Sequence, residues 1–359
     1  MHLIGVVLVG VLTVSPVAPT NPGLQASLDE MTKNGAPGVV AQLRDGGRTW
    51  TGRSGVGDLD RGTPVPLNAR FRAGSVTKSL VAAVVLQLVG EGRLGLDQPV
   101  LDDITVRALL NNTSGLPDYL SDPVFADPRV YGKRTFTPDE LIEIALRHKR
   151  GTGWKYSNTN YVVLGRLVER TTGEPLGEEL ARRVLRPAGM RSTFLPATFP
   201  RIPGPHATGY YLHGDITHNP DPQPQLQPLT EINPSFAWAA YGLVSTTDDL
   251  QRFYDALLSG KLLPAALLKE MQQTVPTGNP AFPGYGLGLE RVDLTCGAAW
   301  GHTGSIPGYM TFAFAREDGR RQFTFSINAQ VLDRSSGRFL APGFAALEKA
   351  LCPVSAGRT

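Results

Sequence analysis

Phe71-Arg72-Ala73-Gly74-Ser75-Val76-Thr77-Lys78-Ser79 runs directly into the apolar stretch Leu80 to Val89, and together they predict a buried helix that opens on a serine. Three residues are nearly one helical turn, so a helix beginning near Ser75 folds the Lys78 ammonium back beside the Ser75 hydroxyl. The pair is then a nucleophile with a resident base. The first turn also leaves backbone N–H groups unpaired and carries partial positive charge, which suits an oxyanion formed when Ser75 attacks an acyl group. The competing reading is structural: Ser75 caps the helix and Lys78 is a solvated first-turn residue.

Upstream, Leu24, Leu28 and Met31 share one side of an amphipathic helix, and Val39 to Leu43 and Arg48 to Ser54 flank the hairpin signal Asp45-Gly46-Gly47. Downstream, Gly90 and Gly92 end the Ser75 helix, and helical signals dominate. Thr137-Pro138-Asp139-Glu140 is a capping box leading into Leu141 to Leu146, and Tyr161 to Arg170 and Leu176 to Leu185 follow with helical spacing. Residues 196–234 read as irregular surface, and Thr247-Asp248-Asp249 caps a helix through Leu258. Strand signals return at Tyr285 to Leu289, Ala299 to Gly301, Met310 to Ala315 and Gln322 to Ile327, before a terminal helix over Phe344 to Leu351. Strands at both ends with helices between predict an α+β fold, an antiparallel sheet flanked by N- and C-terminal helices. Residues 21–78 and 245–359 would form the discontinuous sheet domain and 79–244 an inserted, mainly helical one. The cleft between them is the expected ligand site.

The chain has 359 residues, 41% hydrophobic and 19% charged, with a net charge of +3, which is a globular composition of about two domains. Its basic residues are scattered rather than gathered in a stripe with aromatics, so nucleic acid is not implied. Residues 1–20 contain an apolar run, Leu3 to Val14, of the size of a signal-peptide core. Export is therefore expected, and no later run is apolar enough for a stable membrane anchor. In an exported chain the two cysteines, Cys296 and Cys352, are expected to pair. His206, His213 and His218 share a segment with Asp215, but no regular element fixes them as a metal site.

Two further constellations fall where the cleft needs them. Gly153-Trp154-Lys155-Tyr156-Ser157-Asn158 precedes a helix; there Tyr156 can relay the Ser75 proton to a leaving group, and the Asn158 amide can hold a substrate carbonyl and Lys78. A plain capping turn would look the same. Trp300-Gly301-His302-Thr303-Gly304-Ser305 places glycines where substrate backbone can approach. The Ser305 N–H is then a second oxyanion donor, and His302 either tunes the Tyr156 proton or binds substrate. A polar hairpin with a surface histidine is the alternative.

The three motifs occur in this order, about 80 and about 145 residues apart, and the chain resembles the serine β-lactamase and D,D-peptidase superfamily, most closely its class C-type, penicillin-binding group with His-Thr-Gly. Thr113-Ser114-Gly115-Leu116 and Tyr285-Gly286-Leu287-Gly288-Leu289 add to the likeness. The resemblance implies Ser75 as acylated nucleophile, Lys78, Tyr156 and His302 as its catalytic partners, and Asn158, Thr303, Gly304 and Ser305 around the substrate. It implies no cofactor and no metal. Which of Lys78 and Tyr156 is the acylation base stays open.

Two positions depart from the pattern. Asn112 stands where many relatives have histidine, and Glu290 stands where a secreted D-alanyl-D-alanine carboxypeptidase of the group has an arginine that grips the substrate's terminal carboxylate. The expected function is a secreted serine hydrolase of D-alanyl peptides. A β-lactamase or esterase on the same scaffold, and an inactive ligand-binding scaffold, are the alternatives.

Overall fold

The computed structural model describes residues 20–212, 226–330 and 337–352. The expected signal segment, His213, Asp215 and His218 lie outside the described residues, apart from Thr20. Its centre is a nine-stranded antiparallel sheet built from both ends of the chain. The N-terminal part gives β1 (Gly38–Asp45), β2 (Arg48–Asp58) and β3 (Thr63–Pro64). The C-terminal part gives β4 (Val275–Asn279), β5 (Phe282–Tyr285), β6 (Glu290–Leu294), β7 (Gly297–Ile306), β8 (Tyr309–Arg316) and β9 (Arg321–Ile327). The strand order is β4-β5-β6-β7-β8-β9-β1-β2-β3, so the two ends meet where Val39 pairs with Ile327.

Helices α1 (Pro22–Lys33) and α6 (Gly337–Leu351) cover one face. Leu24, Leu28, Met31, Ala346 and Leu347 are buried there with Phe312, Phe323 and Phe325. A disulfide joins Cys296, at the β6–β7 turn, to Cys352 just after α6, as the cysteine pair predicts.

The Ser75 stretch forms a single 3₁₀ turn, Gly74–Val76, that continues into α2 (Thr77–Gly90). β-Branched Thr77, Val81, Val84 and Val85 are only modest helix formers, losing a few tenths of a kcal/mol each against alanine. Burial outweighs this, because a fully buried Val or Leu side chain contributes about 1.5–3 kcal/mol and every residue from Thr77 to Leu86 is buried. The core around α2 includes both helical residues such as Leu109 and Tyr161 and sheet residues such as Trp300 and Ala313. On the same side, α3 (Pro138–Leu146) is capped by Thr137, whose Oγ1 accepts the Glu140 N–H at 3.1 Å. Beyond it come α4 (Asn158–Thr172) and α5 (Thr247–Leu258).

Three expectations need correction. The α5 cap is Thr246, not Thr247: its Oγ1 accepts the Asp249 N–H. Gly286 to Leu289 is a turn between β5 and β6, closed by the Gly286 N–H on the Leu289 carbonyl, rather than a strand. The segment read as irregular holds two short strands, Tyr210–Leu212 and Leu226–Pro228, the first running parallel to Ala329–Gln330.

Candidate active site

From Phe71 to Leu86 every residue is buried except Ser75. The hydroxyl thus opens from an otherwise closed element, and its N–H, in the first turn, has no helical acceptor. The Lys78 side chain is wholly buried and folds back as the three-residue spacing predicts: Nζ lies 3.1 Å from Ser75 Oγ, 2.7 Å from Asn158 Oδ1 and 2.8 Å from the Ala240 carbonyl. Burial lowers the Lys78 ammonium to about 7, against the opposing pull of the Asp118 and Glu290 carboxylates. A large fraction is therefore neutral near pH 7 and able to take the Ser75 proton.

Tyr156 faces the same hydroxyl, with its ring centroid 4.8 Å from Lys78 Nζ. Burial, reinforced by the Glu290 carboxylate, holds its phenol well above the usual value, so it stays protonated. The turn carrying it is held by Asn112, a residue whose meaning the sequence did not disclose. Asn112 Oδ1 accepts both the Ser157 N–H at 3.2 Å and Asn160 Nδ2 at 2.8 Å, while its carbonyl accepts the Lys155 N–H. Asn158 does hold Lys78, and its Nδ2 donates to Asp118 Oδ2 at 2.9 Å.

Strand β7 closes the other side. A Cβ on Gly304 would sit 2.0 Å from the Ala73 carbonyl, and one on Gly74, at φ +59°, 2.5 Å from the Ser305 nitrogen. Only glycine at both places lets the strand touch the nucleophile's turn. The Thr303 N–H points across the β6 edge, donating to Glu290 Oε2 at 2.7 Å. N–H groups two residues apart on a strand point the same way, and β6 pairs with β7 only as far as Gly301. The Ser305 N–H therefore faces the open edge beside Ser75, as an oxyanion donor must.

His302 and Glu290 are neighbours, with His302 Nδ1 3.5 Å from Glu290 Oε1. His302 lies on the opposite face of β7 from Thr303, is fully buried and lines neither cavity beside Ser75. Its Nδ1–H donates to the Thr303 carbonyl at 2.5 Å, which leaves Nε2 to accept from the Tyr285 hydroxyl at 3.0 Å. Burial, with the Lys78 charge, lowers it to about 3, so it is neutral. Its ring lies 6.3 Å from that of Tyr156, centroid to centroid. Glu290 lines the cleft but is committed: Oε1 also accepts Thr303 Oγ1 at 2.9 Å. Burial raises its carboxyl to about 7 despite those bonds. Arg291, the next residue on β6, faces the other way and pairs with Asp293.

Two cavities meet at Ser75, Tyr156 and Ser305. One, of about 330 Å³, has aromatic walls including Phe125, Tyr131, Tyr211 and Tyr241, with Gln330 among its polar groups. Gln330 Nε2 donates to Ser305 Oγ at 2.9 Å. The other, of about 320 Å³, holds Glu290, Thr303, Trp154 and Tyr285. Among the described residues no His, Cys, Asp and Glu groups cluster as a metal site.

The Beta-lactamase family profile matches residues 24–340. The chain is 28% identical to the Putative penicillin-binding protein PbpX of Bacillus subtilis (strain 168), over 71% of this chain and 61% of that protein. It is 31% identical to a D-aminopeptidase of Brucella anthropi, over 80% of this chain and 55% of that protein. It thus spans between half and two thirds of the length of these two relatives. Its fold superposes on a D-stereospecific amidohydrolase from Streptomyces sp. with a TM-score of 0.82 at 34% identity, covering 94% of this chain and 100% of that one. By sequence over most of its length, and by the fold that brings Ser75 to Lys78, the chain belongs to the Beta-lactamase family and is a serine hydrolase.

Proposed function

We propose that the protein hydrolyses small D-configured amides and esters that carry no free carboxylate at the cleaved end, through an acyl-enzyme on Ser75. The observation that carries this reading is Glu290 in the cavity beside Ser75, where a carboxylate-terminated leaving group would need a cation. The D-configuration rests on the similarity to the amidohydrolase and the D-aminopeptidase. The aromatic cavity offers an apolar acyl side chain its wall.

In this mechanism neutral Lys78 takes the Ser75 proton as Oγ attacks the acyl carbon. The oxyanion forms between the Ser75 and Ser305 N–H groups. As the tetrahedral intermediate collapses, the Tyr156 hydroxyl protonates the departing amine or alkoxide and is reprotonated from Lys78. Water then attacks the acyl-enzyme, with its proton passing to Lys78, and Ser75 is released protonated. Lys78 rather than Tyr156 is the acylation base here, because burial favours the neutral form of both side chains.

The test is turnover of D- and L-phenylalanine amide, a short aryl ester, nitrocefin and an acyl-D-Ala-D-Ala peptide. The D-amide and ester should lead the peptide by at least about tenfold in kcat/KM. Peptide turnover that outpaces both would overturn the reading in favour of a D-alanyl carboxypeptidase. We also propose export, supported by the Leu3 to Val14 run and the Cys296–Cys352 bond. Two alkylatable thiols in native material from the producing cell would contradict it.

A further inference from the structure

We propose that Asp118 is a positioning residue that acts through Asn158 to set the proton affinity of Lys78. This rests on the reading of Lys78 as base and adds a buried carboxylate to the machinery.

Asp118 ends the Ser114-Gly115-Leu116-Pro117-Asp118 loop, and that loop is clamped to the first turn of α4 by more than one bond. Thr159 Oγ1 donates to the Pro117 carbonyl at 2.6 Å and accepts the Tyr119 N–H at 3.1 Å. The two carboxylate oxygens have separate duties. Oδ1 accepts the Leu120 N–H at 3.1 Å and so caps the following 3₁₀ turn, Tyr119–Ser121. Oδ2 accepts Asn158 Nδ2 at 2.9 Å, and the same amide presents Oδ1 to Lys78 Nζ at 2.7 Å.

A primary amide can be reversed end for end at little steric cost, so its partners decide which end faces the lysine. A carboxylate can only accept, and this pins Nδ2 to Asp118 and the carbonyl oxygen to Lys78. The outcome is an acceptor and, one amide further away, a negative charge, both favouring the ammonium form. They offset part of the burial that lowers Lys78, holding it where it can accept a proton from Ser75 and still retain it. Without Asp118 the Asn158 amide is free to turn its N–H toward Nζ, which disfavours the ammonium twice over.

The groups facing Lys78 are few. Asp118 and Glu290 carry negative charge, His302 is neutral, and the rings of Tyr156, Tyr161 and Tyr241 lie 4.8, 5.5 and 5.7 Å from Nζ. Asp118 in turn faces Lys78 and the phenols of Tyr119, Tyr156 and Tyr241. Burial raises Asp118 above the ordinary carboxylate range, so it and Lys78 titrate as a linked pair.

The experiment is the pH profile of kcat/KM for a neutral aryl ester in the wild type, Asp118→Asn and Asp118→Ser. Asparagine keeps the shape, removes the charge, and puts an NH2 donor in place of one of the two oxygens that serve Leu120 and Asn158. Serine keeps a cap through its hydroxyl and withdraws the side chain from Asn158, so it stands in should the asparagine variant not fold. In the folded variants the acid limb should move down by about 1.5 pH units, the scale of one charge two hydrogen bonds away at an effective dielectric near 20. A limb within about 0.2 unit of wild type in a folded variant would overturn the proposal, even with a lowered rate or Tm, since a capping role alone does not move it. Loss of wild-type turnover in Ser75→Ala tests the underlying nucleophile separately.

Discussion

Replacing Glu290 by glutamine gives the sharpest view of how the cleft chooses its substrate. Glutamine preserves the shape and an acceptor for the Thr303 N–H, whereas arginine would have to bury a cation where the glutamate side chain is 9% exposed. A sphere of the cavity's 320 Å³ is about 8.5 Å across, so a carboxylate bound there lies within roughly 8 Å of Glu290. At that distance and an effective dielectric of 20, like charges repel by about 2 kcal/mol. The bonds from Thr303 and the open mouth of the cleft reduce this, so about 1.4 kcal/mol, or tenfold in kcat/KM, is the expected gain for acyl-D-Ala-D-Ala. The assay is a comparison of that peptide with a neutral ester, at about pH 8 and about pH 5.5, because Glu290 titrates near 7. The gain should appear for the peptide at the higher pH, shrink at the lower one, and be absent for the ester at pH 8. Folding raises Glu290 from 4.5 to about 7, so the native state binds more protons in that window and stability falls as pH rises through it. Glutamine should therefore also raise the Tm above pH 7, by at most about 3 kcal/mol in stability, and leave it nearly unchanged below about 4.5. Equal responses of peptide and ester at pH 8 would refute the reasoning.

Two further outcomes follow from the geometry. The kcat/KM of the wild type for a neutral ester should rise through about pH 7 and level off above it, as Lys78 loses its proton; a limb near 10 in a stopped assay would show that burial does not lower it. Gly304→Ala places a Cβ against the Ala73 carbonyl, and should cut kcat at least about a hundredfold, the scale of losing one oxyanion donor, with little change in the bridge-protected fold measured by circular dichroism.

The sequence made the Ser75–Lys78 pair legible because their relation is local: three residues on one helix fix it. The antiparallel sheet was legible for a similar reason, through the hairpin signal at Asp45-Gly46-Gly47 and the strand signals that return near the C-terminus. What escaped was long-range. Asp118 meets Asn158 across 40 residues and Asn112 meets Ser157 across 45, and nothing in the local pattern of either loop announces such a contact. His302 shows another limit. Residue type marked it as chemical, but the alternation of β7 turns Thr303 and Ser305 to the cleft and buries the histidine behind them. Gly286 to Leu289 alternates as a strand would, yet the tight approach to α2, where Ser79 Oγ donates to the Gly288 carbonyl, makes it a turn.

The central claim is that Ser75 is the acylated nucleophile. Intact-mass spectrometry with peptide mapping, after brief exposure to a labelled penicillin, should find one adduct, on Ser75, and none on a folded Ser75→Ala variant. An undiminished adduct on that variant, or a label on any other residue, would contradict the account.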